Sequence, residues 1–94
     1  MVTGRENVSD EFVVIDCRTP AEYSMDKIDG TINLDFKSPK FTQELEKLDR
    51  NKKYKLHCAS GARSGTAVQM MQSMGFKHVE NIGGIAEARA YLKK

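Results

Sequence analysis

The sequence predicts an α/β fold: a mainly parallel, twisted sheet of four to five strands with helices on both faces. Three observations carry that expectation. Short apolar runs alternate with stretches of helical spacing along the chain. The first run is apolar at every position up to a terminal acid, as in a strand covered on both faces. The segments between runs are long enough for crossover connections, which are right-handed in such sheets. With 94 residues, 39% apolar and 30% charged, one globular domain spanning residues 1–94 is expected, with residues 1–10 a short or poorly ordered leading segment.

Taken in order, "FVVID" at residues 12–16 reads as the first strand. In "RTPAEY", Thr19 suits an N-cap, Pro20 the first helical position and Glu22 the return arm of a capping box. A short helix therefore runs to about Met25, and "DKIDG" ends it. "TINLDF" reads as a second strand with Ile32 and Leu34 on one face. Ser38 and Pro39 start a helix that carries Phe41, Leu45 and Leu48 inward, and "DRNKK" is a charged turn. "YKLHC" alternates Tyr54, Leu56 and Cys58 against Lys55 and His57, a third strand that delivers Cys58 to the sheet's carboxyl edge. A helix over residues 63–74 buries Ala67, Val68, Met70, Met71 and Met74 as adaptable core, and Gly75 stops it. "KHVENI" is a fourth strand, Gly83 and Gly84 a tight turn, and "IAEARAYL" a last helix with Ile85, Ala88 and Leu92 inward. A fifth strand fits residues 1–8.

Composition excludes several functions. A net charge of +2 with lysines dispersed over Lys37, Lys40, Lys47, Lys52, Lys53 and Lys55 is a solvated rim and not a nucleic-acid footprint. No apolar run reaches the ~20 residues of a membrane span, and "MVTGRENVSD" lacks the apolar core of a signal peptide. A cytoplasmic monomer is expected, or a periplasmic one if a signal was removed. Cys17 and Cys58 are too few for a disulfide scaffold, and with His57 and His78 they form no metal-ligand spacing. No metal and no cofactor are therefore expected.

The chemistry concentrates in "HCASGARSG". Cys58 lies between a strand end and a helix start, where the helix's positive end and converging N–H groups favour thiolate. Ala59, Ser60, Gly61 and Ala62 are small enough to form an anion-binding backbone cradle, which Arg63 closes with a forked cation and Ser64 follows. Such a site suits attack on an anionic substrate or storage of an anionic intermediate. Asp16 also ends a strand and should share that edge, where open sheets place their sites.

The stretches "VVIDCRTPAEY", "TINLD", "HCASGARSG" and "MGFKHVENIGG" resemble, in order and spacing, a single-domain rhodanese, and small bacterial phage-shock-type rhodaneses in particular. The resemblance covers about residues 12–92. It implies a rhodanese fold and a thiosulfate sulfurtransferase, in which Cys58 carries a persulfide. A sulfane sulfur would come from thiosulfate or a persulfide donor and pass to cyanide or a thiol. It also implies supporting roles for Asp16, accepting hydrogen bonds at the loop's base, and Arg18, which either lines the mouth or is structural. Cys17 stands where the family usually has valine and reads as packing. Family members often show "CRSGNRS" and "GHIPGA"; here Ala59 and Ala62 replace an arginine and an asparagine, and "DKIDGT" replaces the second motif. The lost cation at Ala59 predicts weak affinity for thiosulfate and a thiol persulfide or polysulfide as donor. Two rivals remain: a non-catalytic rhodanese-like binding module, and a cysteine phosphatase, whose loops hold one residue more than the four between Cys58 and Arg63.

Overall fold

A computed structural model describes residues 11–93. The elements are β1 (Val13–Asp16), α1 (Pro20–Met25), β2 (Ile32–Asn33), α2 (Phe41–Glu46), β3 (Lys53–His57), α3 (Ala62–Ser73), β4 (His78–Asn81) and α4 (Ile85–Leu92). The four described strands form one sheet in the order β2-β1-β3-β4, with every pairing parallel. Ile15 lies opposite Ile32 on one side and Leu56 on the other, so β1 and β3 are the covered centre.

Residue alternation along β1 and β3 divides the interior into two layers. Ile15, Tyr54 and Leu56 face α2 and α3, where Phe41, Leu45, Ala67, Met71 and Phe76 complete the larger core. Val14 points the other way and packs with Ile82 and Ala88 of the α4 side, joined by Ile28 and Leu92. Helices thus cover both faces. Removing a fully buried Leu45 or Leu56 side chain should cost about 2–5 kcal/mol, transfer and cavity together.

Local chemistry explains the boundaries. Glu22 N–H donates to Thr19 Oγ1 at 3.2 Å while Thr19 N–H donates to Glu22 Oε1 at 2.9 Å, a complete capping box at the start of α1. Gly75 and Phe76 N–H groups bond back to Gln72 and Met71 carbonyls and close α3.

Several expectations are corrected. Phe12 lies outside β1 and is 39% exposed, with the Lys55 ammonium over its ring. The second strand is only two residues long, an edge of the described sheet, and Ile32 on it is 40% exposed. Past Asn33 the backbone still bonds to its neighbour, Leu34 N–H to Asp16 O at 3.0 Å and Phe36 N–H to Cys17 O at 3.2 Å, and the Asn33 side-chain amide adds bonds to the carbonyls of Asp16 and Arg18 at 3.0 and 2.8 Å. Leu34 does pack against the larger core. The helix expected at Ser38 begins at Phe41, since Ser38 instead makes a turn that accepts Phe41 N–H at 3.1 Å and Lys40 N–H at 3.0 Å. Val68, Met70 and Met74 are half-buried at the core margin, with Ala67 and Met71 beneath them. The fifth strand expected at residues 1–8 lies outside the described residues.

Candidate active site

β3 ends at His57, and the chain crosses from Cys58 to Gly61 before α3 begins at Ala62. Cys58 is fully buried and its own N–H donates to Gly83 O at 3.2 Å, which anchors the loop's start to the β4–α4 turn. Gly61, the residue before α3, has φ +98°, a left-handed conformation that swings its N–H inward. That N–H donates to Cys58 Sγ at 3.0 Å. Ser64 N–H follows at 3.4 Å, and Ser64 Oγ, whose single proton goes to Asn81, lies 3.5 Å from the sulfur. The expected cradle is present, and its donors converge on sulfur.

Burial pushes the Cys58 thiol up, but the bonds from the Ser64 hydroxyl and N–H, with those from Ser60 and Gly61 N–H, outweigh it and hold the thiol below its ordinary value. Cys17 behaves oppositely. Burial pushes its thiol up to about 12, with neighbouring Cys58 and Asp16 adding to the effect. Two buried cysteines at one sheet edge are therefore set apart: one favours thiolate, the other is packing.

A second layer holds the cradle. Ser64 Oγ donates to Asn81 Oδ1 at 2.8 Å, and Asn81 Nδ2 donates to Gly61 O at 3.1 Å. Gly83 N–H also donates to Asn81 Oδ1 at 3.0 Å. Across the turn, Ser60 and Gly84 form an antiparallel bridge, and Ile85 N–H reaches Ala59 O at 3.4 Å. The contact is so close that a Cβ on Gly84 would lie 2.5 Å from Ala59 O. "ENIGG" is thus the wall of the cradle as well as a turn. Asn81 had no signal of its own in the sequence beyond its place in that motif.

The charged residues are arranged differently from expectation. Arg63 does not turn its fork into the cradle: it pairs with Glu22 across the two helix starts, Nη1 to Oε1 at 2.9 Å and Nη2 to Oε2 at 3.1 Å. Glu22 serves capping box and ion pair together, and Arg63, then Thr19 N–H, hold its carboxyl down at about 2. Sequence reasoning assigned Glu22 only the cap. Arg18 is structural and does not line the mouth. It is 5% exposed, its Nη2 lies 2.7 Å from Asp16 Oδ2, and it also donates to Asp26 O at 2.6 Å. Asp16 correspondingly accepts from Arg18, through Nε, Nη2 and N–H, and not from the Cys58 loop. Asp16 Oδ2 also lies 3.6 Å from His57 Nε2, a buried atom without a hydrogen-bond partner among the described residues, while His57 Nδ1 sits 3.2 Å from Cys58 O. Ala59, Ser60 and Ala62 are exposed, and as small residues they add no bulky side chain to the loop around Cys58. Among the described residues no group of His, Cys, Asp or Glu side chains gathers as a metal site, and no helix is long and apolar enough to cross a membrane.

Comparison with known proteins agrees with this architecture. The rhodanese-like domain model matches residues 4–90. The chain is 36% identical over 73 residues to the thiosulfate sulfurtransferase PspE of Escherichia coli, spanning 78% of this chain and 70% of that protein. A tRNA sulfurtransferase of Desulfurococcus amylolyticus is 29% identical over 89 residues, 95% of this chain but 17% of that much longer protein. Among solved structures, an E. coli rhodanese with anions superposes with a TM-score of 0.71 at 34% identity, covering 82% of this chain and 91% of that one. A rhodanese-related protein from Thermoplasma volcanium gives 0.71 at 30% identity, covering 95% and 83%. With a family match over nearly its whole length, the chain belongs to the rhodanese family.

Proposed function

We propose that this protein is a sulfurtransferase that moves a sulfane sulfur through a persulfide on Cys58. The observation that carries the reading is the convergence of Gly61 N–H and Ser64 N–H on one sulfur, with the Ser64 hydroxyl 3.5 Å from it. These donors favour the thiolate that attacks, and they can equally hold the negative terminal sulfur of a persulfide. With thiosulfate as donor, the Cys58 thiolate attacks the sulfane sulfur, the S–S bond breaks, and sulfite leaves with the electron pair. The acceptor then attacks the outer sulfur of Cys58–S–S⁻, and the Cys58 thiolate departs unchanged. Cyanide would become thiocyanate, and a thiolate acceptor would become a persulfide. No other group is required.

The uncharged, exposed Ala59 and the carboxylate on Arg63 suit a thiol persulfide better than a compact dianion such as thiosulfate. They also weigh against phosphoryl chemistry, for which Arg63 would have to leave Glu22 to grip an oxyanion. The test is thiocyanate production from thiosulfate and cyanide by the parent and by Cys58→Ser. Turnover should be abolished in the serine variant, and equal turnover would rule out Cys58 as carrier.

A further inference from the structure

We propose that Glu22 sets the charge selectivity of the Cys58 site by neutralising Arg63 at its mouth, so that the site admits singly charged or neutral donors in preference to dianions. This rests on the sulfurtransferase reading for its substrates but not for its electrostatics. Arg63 is the only charged side chain in the loop from Cys58 to Ser64, and it precedes the serine whose N–H donates to Sγ. Both arms of its fork are committed to Glu22. Glu22 in turn is fixed by Thr19, whose N–H and hydroxyl meet Oε1 at 2.9 and 3.1 Å, so the carboxylate does not drift from the guanidinium. Arg18, a second cation at this edge, is paired with Asp16. On the opposite wall, Glu87 Oε1 accepts the Gly84 N–H at 3.0 Å, adding a further carboxylate beside Ala59. Selectivity against dianions therefore comes from α1 as well as from the missing cation at Ala59. A carboxylate on a different helix decides how much of Arg63's charge an incoming donor meets.

The test compares alkylation of Cys58 by iodoacetate and by iodoacetamide in the full-length protein, read by peptide mass. Both reagents attack the same thiolate, so their rate ratio cancels changes in thiolate fraction and reports the charge at the mouth. Glu22→Gln preserves an acceptor for Thr19 N–H and leaves Arg63 uncompensated. The ratio should rise about fourfold in dilute buffer, the factor for one unit charge at ~5 Å in water, and shrink in salt. Arg63→Gln should fall below the parent, and the double variant should return near it. In the parent, added salt should leave the ratio flat or raise it. A parent ratio that falls with salt, or a Glu22→Gln ratio at or below the parent's, overturns the proposal. The parent salt series decides even if a variant does not fold. The Michaelis constant for thiosulfate should drop in Glu22→Gln in step with the ratio. A shifted ratio with no thiocyanate formed by any variant would leave the charge role standing and refute the sulfurtransferase reading instead.

Discussion

Replacing Gly84 by alanine tests how the cradle is held. Gly84 has φ −81° and ψ 178°, extended backbone that alanine adopts freely, so the effect of the methyl is steric. Its Cβ would lie 2.5 Å from Ala59 O, 3.1 Å from Ala59 C and 2.8 Å from Glu87 Oε1. Glu87 can rotate aside at the loss of its bond to Gly84 N–H. Ala59 O cannot, because it is backbone and accepts from Ile85 N–H. Relief to an ordinary contact needs a shift of roughly an ångström in the segment between Cys58 and Gly61, and overpacking of that kind costs about 1–3 kcal/mol. For a chain of this size that lowers Tm by roughly 5–20 °C. The same shift draws Gly61 N–H away from Sγ, so iodoacetamide should modify Cys58 more slowly at neutral pH. Leu48→Ala is the control. It trims a side chain packed on the larger core and should lower Tm without slowing alkylation. If Gly84→Ala matches the parent in both Tm and alkylation rate, the turn is not the cradle's wall and the reasoning fails.

Three further outcomes are expected. Ser64→Ala removes the hydroxyl 3.5 Å from Sγ and its link to Asn81, so the pH profile of Cys58 alkylation should move upward, while Cys17 stays unreactive until the protein unfolds; an unmoved profile contradicts the role given to Ser64. Arg18→Met leaves Asp16 buried without its cation and should cost about 3–5 kcal/mol in urea unfolding, partly restored by a second change, Asp16→Asn; a stability near the parent's would show that the pair is dispensable. Glu22 has a folded-state pKa of about 2 against an ordinary 4.5, so its stabilisation is present above the ordinary value and lost as pH falls toward the folded one. Urea midpoints of the parent should therefore fall more steeply than those of Glu22→Gln over that range, modestly because the pair is partly exposed, and parallel curves would refute the coupling.

The sheet was legible because β1 is a continuous apolar run and β3 alternates apolar Tyr54 and Leu56 with polar residues, and the Thr19–Glu22 box and Gly75 mark their helices by local chemistry. β2 was overestimated because periodicity cannot show where the chain leaves regular pairing, which here is after Asn33. Cys58 and the cradle could be read from one contiguous stretch, since strand end, small residues and helix start follow in order. The charge arrangement could not. Glu22 meets Arg63 from 41 residues away, and Asn81 meets Ser64 from 17, contacts created only when α1 and β4 are placed beside α3. Arg18 was ambiguous for the same reason: nothing local says that its guanidinium folds back onto Asp16 and Asp26.

The most direct test of the account is the intact mass of the protein after brief incubation with a sulfane donor, thiosulfate or a thiol persulfide, and again after adding cyanide. The parent should gain the mass of one sulfur atom, localised by peptide mapping to Cys58, and lose it as thiocyanate forms. Cys17→Ser should behave like the parent, and Cys58→Ser should gain nothing. Sulfur retained by the Cys58→Ser protein, or absent from the parent with every donor, would contradict the claim that Cys58 carries the transferred sulfur.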